Sequence, residues 1–190
     1  KVFLAASTRE GEEALLLDAL THADVEGLLV VIVPRHPQRF DEVAALIAQR
    51  GLRMQRRSAF EPVSADTQVV LGDSMGEMFA YYSASDLAFI GGSLLPLGGQ
   101  NLIEAAACGT PVLIGPYTFN FTDATEQAIA CGAALRVQDA DELIRKVGAL
   151  LQDDSGLRQM GACGLRFANA NRGATERATE TVTPFLNHSR

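Results

Sequence analysis

The chain has 190 residues, of which 47% are apolar, and a formal net charge of −7 at pH 7. This length suits one domain with a full core, and the acidic balance argues against a general nucleic-acid surface, because phosphate backbones require a basic face. The longest strongly apolar run, residues 28–33, is far shorter than the roughly 20 residues that cross a bilayer, so we expect a soluble domain.

The first predicted strand, residues 2–6, ends in a loop that carries Ser7, Thr8 and Glu10. A dinucleotide-binding fold of the oxidoreductase kind would place Gly-x-Gly-x-x-Gly in this loop, so the hydroxyls, arginine and carboxylates found here disfavour NAD. The chain opens at Lys1 without methionine and enters this strand at once. We therefore expect it to be half of a larger protein, cut at a domain boundary.

A basic loop follows the second strand, residues 28–33, whose continuous apolar run is typical of a buried parallel sheet. Arg35, His36 and Arg39 concentrate positive charge there in an otherwise acidic chain. Residues before a proline are restricted to extended conformations, so Arg35 and His36 are expected to project from the sheet edge. The alternative is a solvated loop held by two prolines. Residues 52–57 then predict a short third strand.

The fourth strand, residues 69–71, leads into a second candidate loop and a helix. Two glycines in this loop would let the backbone approach a ligand, and the alternative is a capping box with glycine hinges. Met75 is either a packing residue or a flexible cover for a nucleobase. The candidate ligand-lining residues of this loop are Gly72, Ser74, Met75, Gly76 and Glu77.

The most glycine-rich loop lies between a fifth strand, residues 87–90, and a small-residue helix over 102–108. Glycines cost conformational entropy on folding, so their density predicts positive φ angles or a close neighbour, which we interpret as a ligand. Asn101 is a plausible N-cap with Glu104 three residues on, and a capping box alone would also explain Glu104. The candidates here are Gly91, Gly92, Ser93, Gly98, Gly99, Gln100, Asn101 and Glu104.

The remaining pattern predicts a sixth strand over residues 111–114, an exit loop containing Asn120, further helices, and a C-terminal helix and tail over 174–190. Asp139 and Asp141 have a spacing that some sugar transferases use for a metal, but they stand at a helix start, where acidic residues complement the dipole. The three cysteines are widely spaced and suit neither a zinc site nor a disulfide framework. We expect neither a metal nor a cofactor.

Alternating strands and helices with short loops predict an α/β fold, a doubly wound and mostly parallel Rossmann-like sheet formed by residues 1–190 as one domain. Ligands of such sheets bind beyond the carboxyl ends of the strands. Every unusual loop described above follows a strand, so we expect all of them at that one edge.

With these residues in hand, the chain resembles the C-terminal, nucleotide-sugar-binding half of bacterial 3-deoxy-D-manno-octulosonic acid (Kdo) transferases, which have the two-domain glycosyltransferase-B fold. The resemblance rests on five motifs in this order: Ala-Ser-Thr-x-x-Gly-Glu, Val-Pro-Arg-His-Pro-x-Arg-Phe, Gly-Asp-Ser-Met-Gly-Glu-Met, Gly-Gly-Ser-x-x-Pro-x-Gly-Gly-x-Asn and Gly-Pro-x-Thr-Phe-Asn-Phe. One departure is Gln100, where the family pattern has histidine. The family's N-terminal domain, with its acceptor surface, membrane anchor and catalytic base, is absent from this sequence.

The resemblance implies a donor-binding domain for CMP-Kdo, whose Kdo the whole enzyme transfers to the lipid A precursor at the cytoplasmic face of the inner membrane. It assigns the phosphate or sugar carboxylate to Arg35, with His36 and Arg39, and to the backbone of residues 91–93. Residues 72–77 would line the nucleotide pocket, with Met75 against cytosine. Asn101 and Glu104 would contact sugar or ribose hydroxyls. Weaker candidates near the cleft are Ser7, Thr8, Glu10 and Asn120.

No catalytic residue is assigned to this domain, which is expected to bind the donor without transferring it. The alternatives are a glycosyltransferase-B donor domain or a sugar-nucleotide epimerase that uses a UDP-sugar, and a non-catalytic module that docks a partner protein.

Overall fold

The computed structural model describes residues 1–23 and 27–171, so the predicted C-terminal helix and tail over 174–190 lie outside the described residues. The strands are β1 Val2–Thr8, β2 Leu29–Pro34, β3 Met54–Arg56, β4 Val69–Leu71, β5 Leu87–Ile90, β6 Val112–Ile114 and β7 Ala134–Arg136. The α-helices are α1 Glu12–Thr21, α2 Phe40–Gln49, α3 Met78–Ser83, α4 Ile103–Ala107, α5 Thr122–Ala130, α6 Ala140–Leu151 and α7 Asp154–Ala170. None of these helices combines the length and hydropathy of a membrane span.

The strands form one sheet in the order β3-β4-β2-β1-β5-β6-β7, and every pair is parallel. The predicted doubly wound parallel sheet is therefore confirmed. Strands β2, β4 and β3 lie on one side of β1, and β5, β6 and β7 lie on the other side, so the strand order reverses between β1 and β5. Open α/β sheets bind ligands in the crevice at such a reversal, beyond the carboxyl ends of the strands.

Both faces of the sheet are covered, which explains why its strands are continuous apolar runs. Successive residues of a strand point to opposite faces, so each strand supplies both cores. One core holds Phe3, Ile32, Leu71 and Phe89 with side chains of α1, α2 and α6. The other holds Leu4, Val31, Val70 and Ile90 with side chains of α3, α4, α5 and α7.

The last helix of the described residues, α7, runs unbroken for 17 residues although Gly161 and Gly164 lie inside it. A Cβ built on Gly161 would lie 2.4 Å from the carbonyl oxygen of Gly109, and one on Gly164 would lie 3.3 Å from the Cα of Ala106. The glycines therefore let α7 pack directly against the backbone of α4 and the turn after it. Their entropic cost is offset by this close packing.

Candidate functional site

The candidate loops lie together at the carboxyl edge of the sheet, as predicted. Backbone hydrogen bonds connect neighbouring loops: Arg35 N donates to Thr8 O at 2.9 Å, and Gly91 N donates to Ala6 O at 2.8 Å. Gly72 N donates in the same way to the end of β2, at 2.8 Å from Ile32 O. The loops after β4, β2, β1 and β5 thus follow one another along a single edge, which we call the rim.

A buried glutamate, Glu12, organises the centre of the rim. Its side chain is fully buried, and one carboxylate oxygen accepts the N–H groups of Ser93 and Leu94, each at 2.9 Å. The other oxygen accepts Gly92 N at 2.6 Å and Arg9 N at 2.9 Å. Burial raises the pKa of Glu12, while the backbone N–H groups that stabilise the ionised carboxylate work in the opposite direction.

Glu12 corrects the role predicted for the backbone of residues 91–93. Those N–H groups were assigned to the donor's phosphate or carboxylate, but Gly92 and Ser93 donate to an anion that the protein itself supplies. Ser93 is also fully buried: its hydroxyl donates to Ile90 O and accepts Gly115 N at 2.8 Å. Neither the N–H nor the hydroxyl of Ser93 is free for a ligand, because the N–H donates to Glu12 and the hydroxyl connects the ends of β5 and β6.

The close neighbour of Gly91 is the protein backbone, which corrects the interpretation of this glycine as a ligand contact. A Cβ at this position would lie 2.4 Å from Ser7 O and 2.6 Å from the Cα of Thr8. Ser7 itself has a positive φ of 54°. The reversal point between β1 and β5 is therefore packed backbone against backbone.

The other glycines of this loop also pack inside the protein. Gly98 is buried with φ of 92°, and the side-chain amide of Asn120 lies so close that a Cβ on Gly98 would be 2.2 Å from its nitrogen. Asn120 N donates back to Gly98 O at 3.0 Å, and Gly99 N donates to Gly92 O at 2.7 Å. The side-chain nitrogen of Gln100 lies 3.3 Å from a Cβ built on Gly92. The loops after β5 and β6 thus form one packed unit.

Asn101 and Glu104 lie at the start of α4, although not in the capping box expected. The side-chain oxygen of Asn101 accepts Ile103 N at 3.0 Å, and its amide donates to Glu104 at 3.2 Å. The N-cap position belongs to Leu102, one residue later than predicted. The two polar side chains therefore hold each other, and both remain half-exposed at the rim.

Arg39 is buried and ion-paired, so its guanidinium serves the fold. Its Nη1 donates to both carboxylate oxygens of Glu13, at 2.8 and 2.9 Å, and its Nη2 donates to Glu42 at 2.8 Å. The Thr8 hydroxyl donates to the same Glu13 at 2.8 Å. Burial works against the charge of Arg39, but hydrogen bonds with Glu42 and Glu13 outweigh it and raise the pKa of Arg39. Arg39 and Thr8 thus lack the free polar groups that donor binding requires.

Arg35 and His36 differ from Arg39 because they extend from the rim. Arg35 is exposed and His36 is half-buried, and within the described residues neither side chain has a hydrogen-bond or ion-pair partner. His36 is extended, with φ −117° and ψ 124°, as expected for a residue before proline. Arg35 thus presents an unpaired guanidinium beside the reversal point. Glu10 is exposed on the neighbouring loop.

The loop over residues 72–77 is held by residues that follow β3. Asp73 accepts Ser58 N at 2.8 Å and the Ser58 hydroxyl at 2.7 Å. Arg57 donates to Glu77 at 2.9 Å, and the Ser74 hydroxyl donates to the same carboxylate. The Ser74 hydroxyl and the nearby Arg57 lower the pKa of Glu77.

The tip of this loop remains open. Met75 is 57% exposed, and Gly76, with φ of 81°, has no atom within 4 Å of a built Cβ. Gly72 is different, because a Cβ there would meet Val33 and Tyr81 side chains at 2.6 and 2.9 Å. Of the predicted nucleotide-pocket residues, Met75 and Gly76 are therefore the ones most available to a ligand.

A cavity of about 520 Å³ lies at the opposite, amino edge of the sheet and contains none of the predicted site residues. It is lined in part by Leu28, Arg53 and Gln68. The guanidinium of Arg53 donates to Asp66 O at 2.6 Å, so the arginine there is engaged. We place the candidate site at the rim instead, because parallel α/β sheets bind ligands at that edge and because the unpaired Arg35 lies there.

The described residues contain no cluster of three or more His, Cys, Asp or Glu side chains that could hold a metal ion. Asp139, one of the two aspartates weighed as a metal motif, caps α6 by accepting Glu142 N at 2.7 Å. The interpretation of this residue as part of a helix start is confirmed.

Residues 16–165 match the family model described as glycosyl transferases group 1. The chain also matches the crystal structure of the C-terminal CMP-Kdo binding domain of WaaA from Acinetobacter baumannii, with 37% identity, a TM-score of 0.83 and 88% of each chain covered. The chain belongs to the Kdo transferases of glycosyl transferase group 1. The predicted resemblance to the C-terminal domain of Kdo transferases is confirmed.

Two curated Kdo transferases match nearly the whole chain. The 3-deoxy-D-manno-octulosonic acid transferase of Bordetella pertussis is 45% identical over 192 residues, and that of Haemophilus influenzae is 39% identical over 188 residues. Each match covers 97% of this chain but 45% and 44% of the respective relative. The chain thus spans less than half the length of these Kdo transferases.

The sequence interpretation missed Glu12, Glu13 and Arg9. A signal for the glutamates was present, since Glu12 and Glu13 precede the buried Leu16 and Leu17 by four residues each and therefore share their helix face. Two carboxylates on an apolar face must have partners, because an unpaired buried charge is prohibitively unstable.

Proposed function

We propose that this chain is the donor-binding domain of a Kdo transferase and holds CMP-Kdo at the rim, beside the reversal point between β1 and β5. Its similarity to a CMP-Kdo binding domain over most of both chains carries the proposal. The unpaired Arg35 supports it independently, because an anionic donor needs a local cation on a protein of net charge −7.

Arg35 suits the donor's phosphate. A guanidinium offers a planar fork of N–H donors that matches phosphate and carboxylate oxygens, and the Arg35 fork is not engaged by any described residue. The exposed Met75 and Gly76 lie on the loop after β4, next to β2 in the sheet, where they would face the cytosine and ribose. Asn101 and Glu104, at the start of α4, would contact sugar hydroxyls.

The proposed chemistry follows from charge. When the acceptor hydroxyl displaces CMP, negative charge grows on the departing phosphate, and a guanidinium already aimed at it lowers the barrier. The base that activates the hydroxyl, the lipid A precursor as acceptor, and a location at the cytoplasmic face of the inner membrane belong to the proposal for the whole enzyme. This domain alone should bind CMP-Kdo and transfer nothing.

A calorimetric titration with CMP tests the proposal. Arg35→Ala should weaken CMP binding at least tenfold, about 1.4 kcal/mol, and leave the melting temperature unchanged. Arg145→Ala, which removes an exposed arginine of α6, should leave the affinity unchanged. Equal affinity of the Arg35 variant and the unsubstituted chain would remove Arg35 from the site.

A melting-temperature panel separates the alternatives, because a ligand that binds only the native state raises the midpoint. CMP should stabilise the chain more than UMP, UDP or NAD does. A larger shift with UDP would indicate a UDP-sugar donor. No shift with any nucleotide would favour a partner-docking module.

A further inference from the structure

The arginines near the rim fall into two groups. Six lie at the carboxyl ends of strands or in the loops that follow. Four of them donate to carboxylates: Arg39 to Glu13 and Glu42, Arg56 to Asp41, Arg57 to Glu77, and Arg136 to Glu126. Arg9 and Arg35 remain, and across residues 1–23 and 27–171 no hydrogen bond or ion pair engages either guanidinium. In an acidic chain, two unpaired arginines at one place call for an anionic ligand.

Arg9 and Arg35 are neighbours. Arg9 directly follows Thr8, whose carbonyl oxygen accepts the backbone N–H of Arg35 at 2.9 Å. The Arg9 side chain lies beside the glycine loop, since its Cγ is 3.5 Å from a Cβ built on Gly92. A larger residue at position 92 would therefore crowd the Arg9 stem.

Glu12 fixes the Arg9 backbone at both of its polar groups. The Glu12 carboxylate accepts Arg9 N at 2.9 Å, and Glu12 N donates to Arg9 O at 3.0 Å. The same carboxylate binds the N–H groups of Gly92, Ser93 and Leu94, so these donors are not available to a ligand. The guanidinium groups of Arg9 and Arg35, by contrast, have no partner among the described residues and can bind an anion beside the reversal point.

The strand order places Arg35 closer than Arg9 to the loop that is proposed to hold the nucleotide. Arg35 follows β2, which borders β4 and its loop with Met75, whereas Arg9 follows β1, which borders β5. Neighbouring strands lie about 4.8 Å apart, so Arg9 starts one strand further from the nucleotide loop than Arg35 does. A ligand with two anionic groups a few ångströms apart fits this placement.

We propose that Arg9 is a second donor-binding residue, which contacts the sugar carboxylate while Arg35 contacts the phosphate. This inference rests on the proposed function. In a 2-keto sugar acid activated as a nucleoside monophosphate ester, the phosphate oxygen and the carboxylate are attached to the same anomeric carbon. Two guanidinium groups on adjacent strands then bind one group each, and Arg9 recognises the feature that distinguishes an acidic sugar from a neutral one.

Calorimetric titrations of CMP and of freshly prepared CMP-Kdo into the 190-residue chain test this assignment. Arg9→Gln should weaken CMP-Kdo binding at least tenfold and change CMP binding less than twofold, because CMP lacks the carboxylate. Arg35→Gln should weaken both ligands at least tenfold. Arg145→Gln, on the exposed surface of α6, controls for loss of positive charge and should change neither affinity by more than twofold.

If Arg9→Gln leaves CMP-Kdo binding within twofold of the unsubstituted chain, or weakens CMP and CMP-Kdo equally, the carboxylate assignment is wrong while the proposed function stands. If the unsubstituted chain binds neither ligand, the proposed function is wrong and Arg9 has no donor to contact. Arg9 donates no side-chain hydrogen bond within the described residues, so the melting temperature of Arg9→Gln should match that of the unsubstituted chain.

Discussion

Replacing Glu12 with glutamine should lower the free energy of unfolding by about 2–4 kcal/mol, although the two side chains have nearly the same shape. The Glu12 carboxylate is fully buried and accepts four backbone N–H groups. Two of them, from Ser93 and Leu94, bind one oxygen, and two, from Arg9 and Gly92, bind the other.

The magnitude follows from that division. A glutamine amide keeps one oxygen acceptor and replaces the other oxygen with an NH₂ group, which can only donate. Whichever way the amide is oriented, two buried N–H groups lose their acceptor and face another donor. Each unsatisfied buried group costs about 1–3 kcal/mol, and the easier burial of a neutral side chain offsets part of the sum.

Urea unfolding at pH 7 measures this change, with Glu10→Gln as the matched control. Glu10 lies two residues away, is exposed and makes no described hydrogen bond through its side chain, so its variant should stay within about 0.5 kcal/mol of the unsubstituted chain. A Glu12→Gln variant as stable as the Glu10 control would refute the view that this carboxylate holds the glycine loop.

Three further predictions concern stability. Gly91→Ala should destabilise the fold by about 2 kcal/mol or more, because the new Cβ would lie 2.4 Å from Ser7 O. Gly148→Ala, in open helical surroundings, should stabilise it by about 0.5–1 kcal/mol. Urea unfolding measures both changes, and a stabilising Gly91→Ala or a destabilising Gly148→Ala would contradict the packing described. Asp139→Ala should cost about 1 kcal/mol as α6 loses its cap, and Asp139→Asn should cost far less. Hydrogen bonds from Gly156 N and the Ser155 hydroxyl hold the pKa of Asp153 below its ordinary 3.8. The stability that ionised Asp153 contributes is therefore present above pH 3.8 and is lost as the pH falls through the lowered pKa. Between pH 7 and pH 2 the melting temperature of Asp153→Asn should fall less than that of the unsubstituted chain, and an equal fall would contradict this.

Much of the fold could be predicted because burial on both faces imposes a local pattern. Residues 87–90 and 69–71 are short, wholly apolar runs, and the structure has strands at those same residues. Features of helices that depend on packing against distant residues were less predictable. Gly161, for example, lies inside α7 because it contacts the backbone after α4, a contact between residues 52 positions apart that no local pattern contains.

The site was predictable in position and less so in detail. Because all the strands are parallel, the loops that follow them lie at one edge of the sheet, whichever side chains they carry. Which groups remain free depends on long-range pairs such as Glu12 with Gly92 and Glu13 with Arg39, and spacing along the chain does not reveal them. The sequence therefore predicts an anion site in the glycine loop and gives no comparable signal for Arg9, one residue beyond β1.

The most direct test of the account is a titration of the ¹⁵N-labelled chain with CMP, followed by amide chemical shifts. We predict that the shifts that change lie at the rim, in the loops that carry Arg35, Met75 and Asn101. Amides around the cavity at the amino edge, near Leu28 and Gln68, should not change. Changes confined to that amino edge, or none at saturating CMP, would contradict a donor site at the carboxyl ends of the strands.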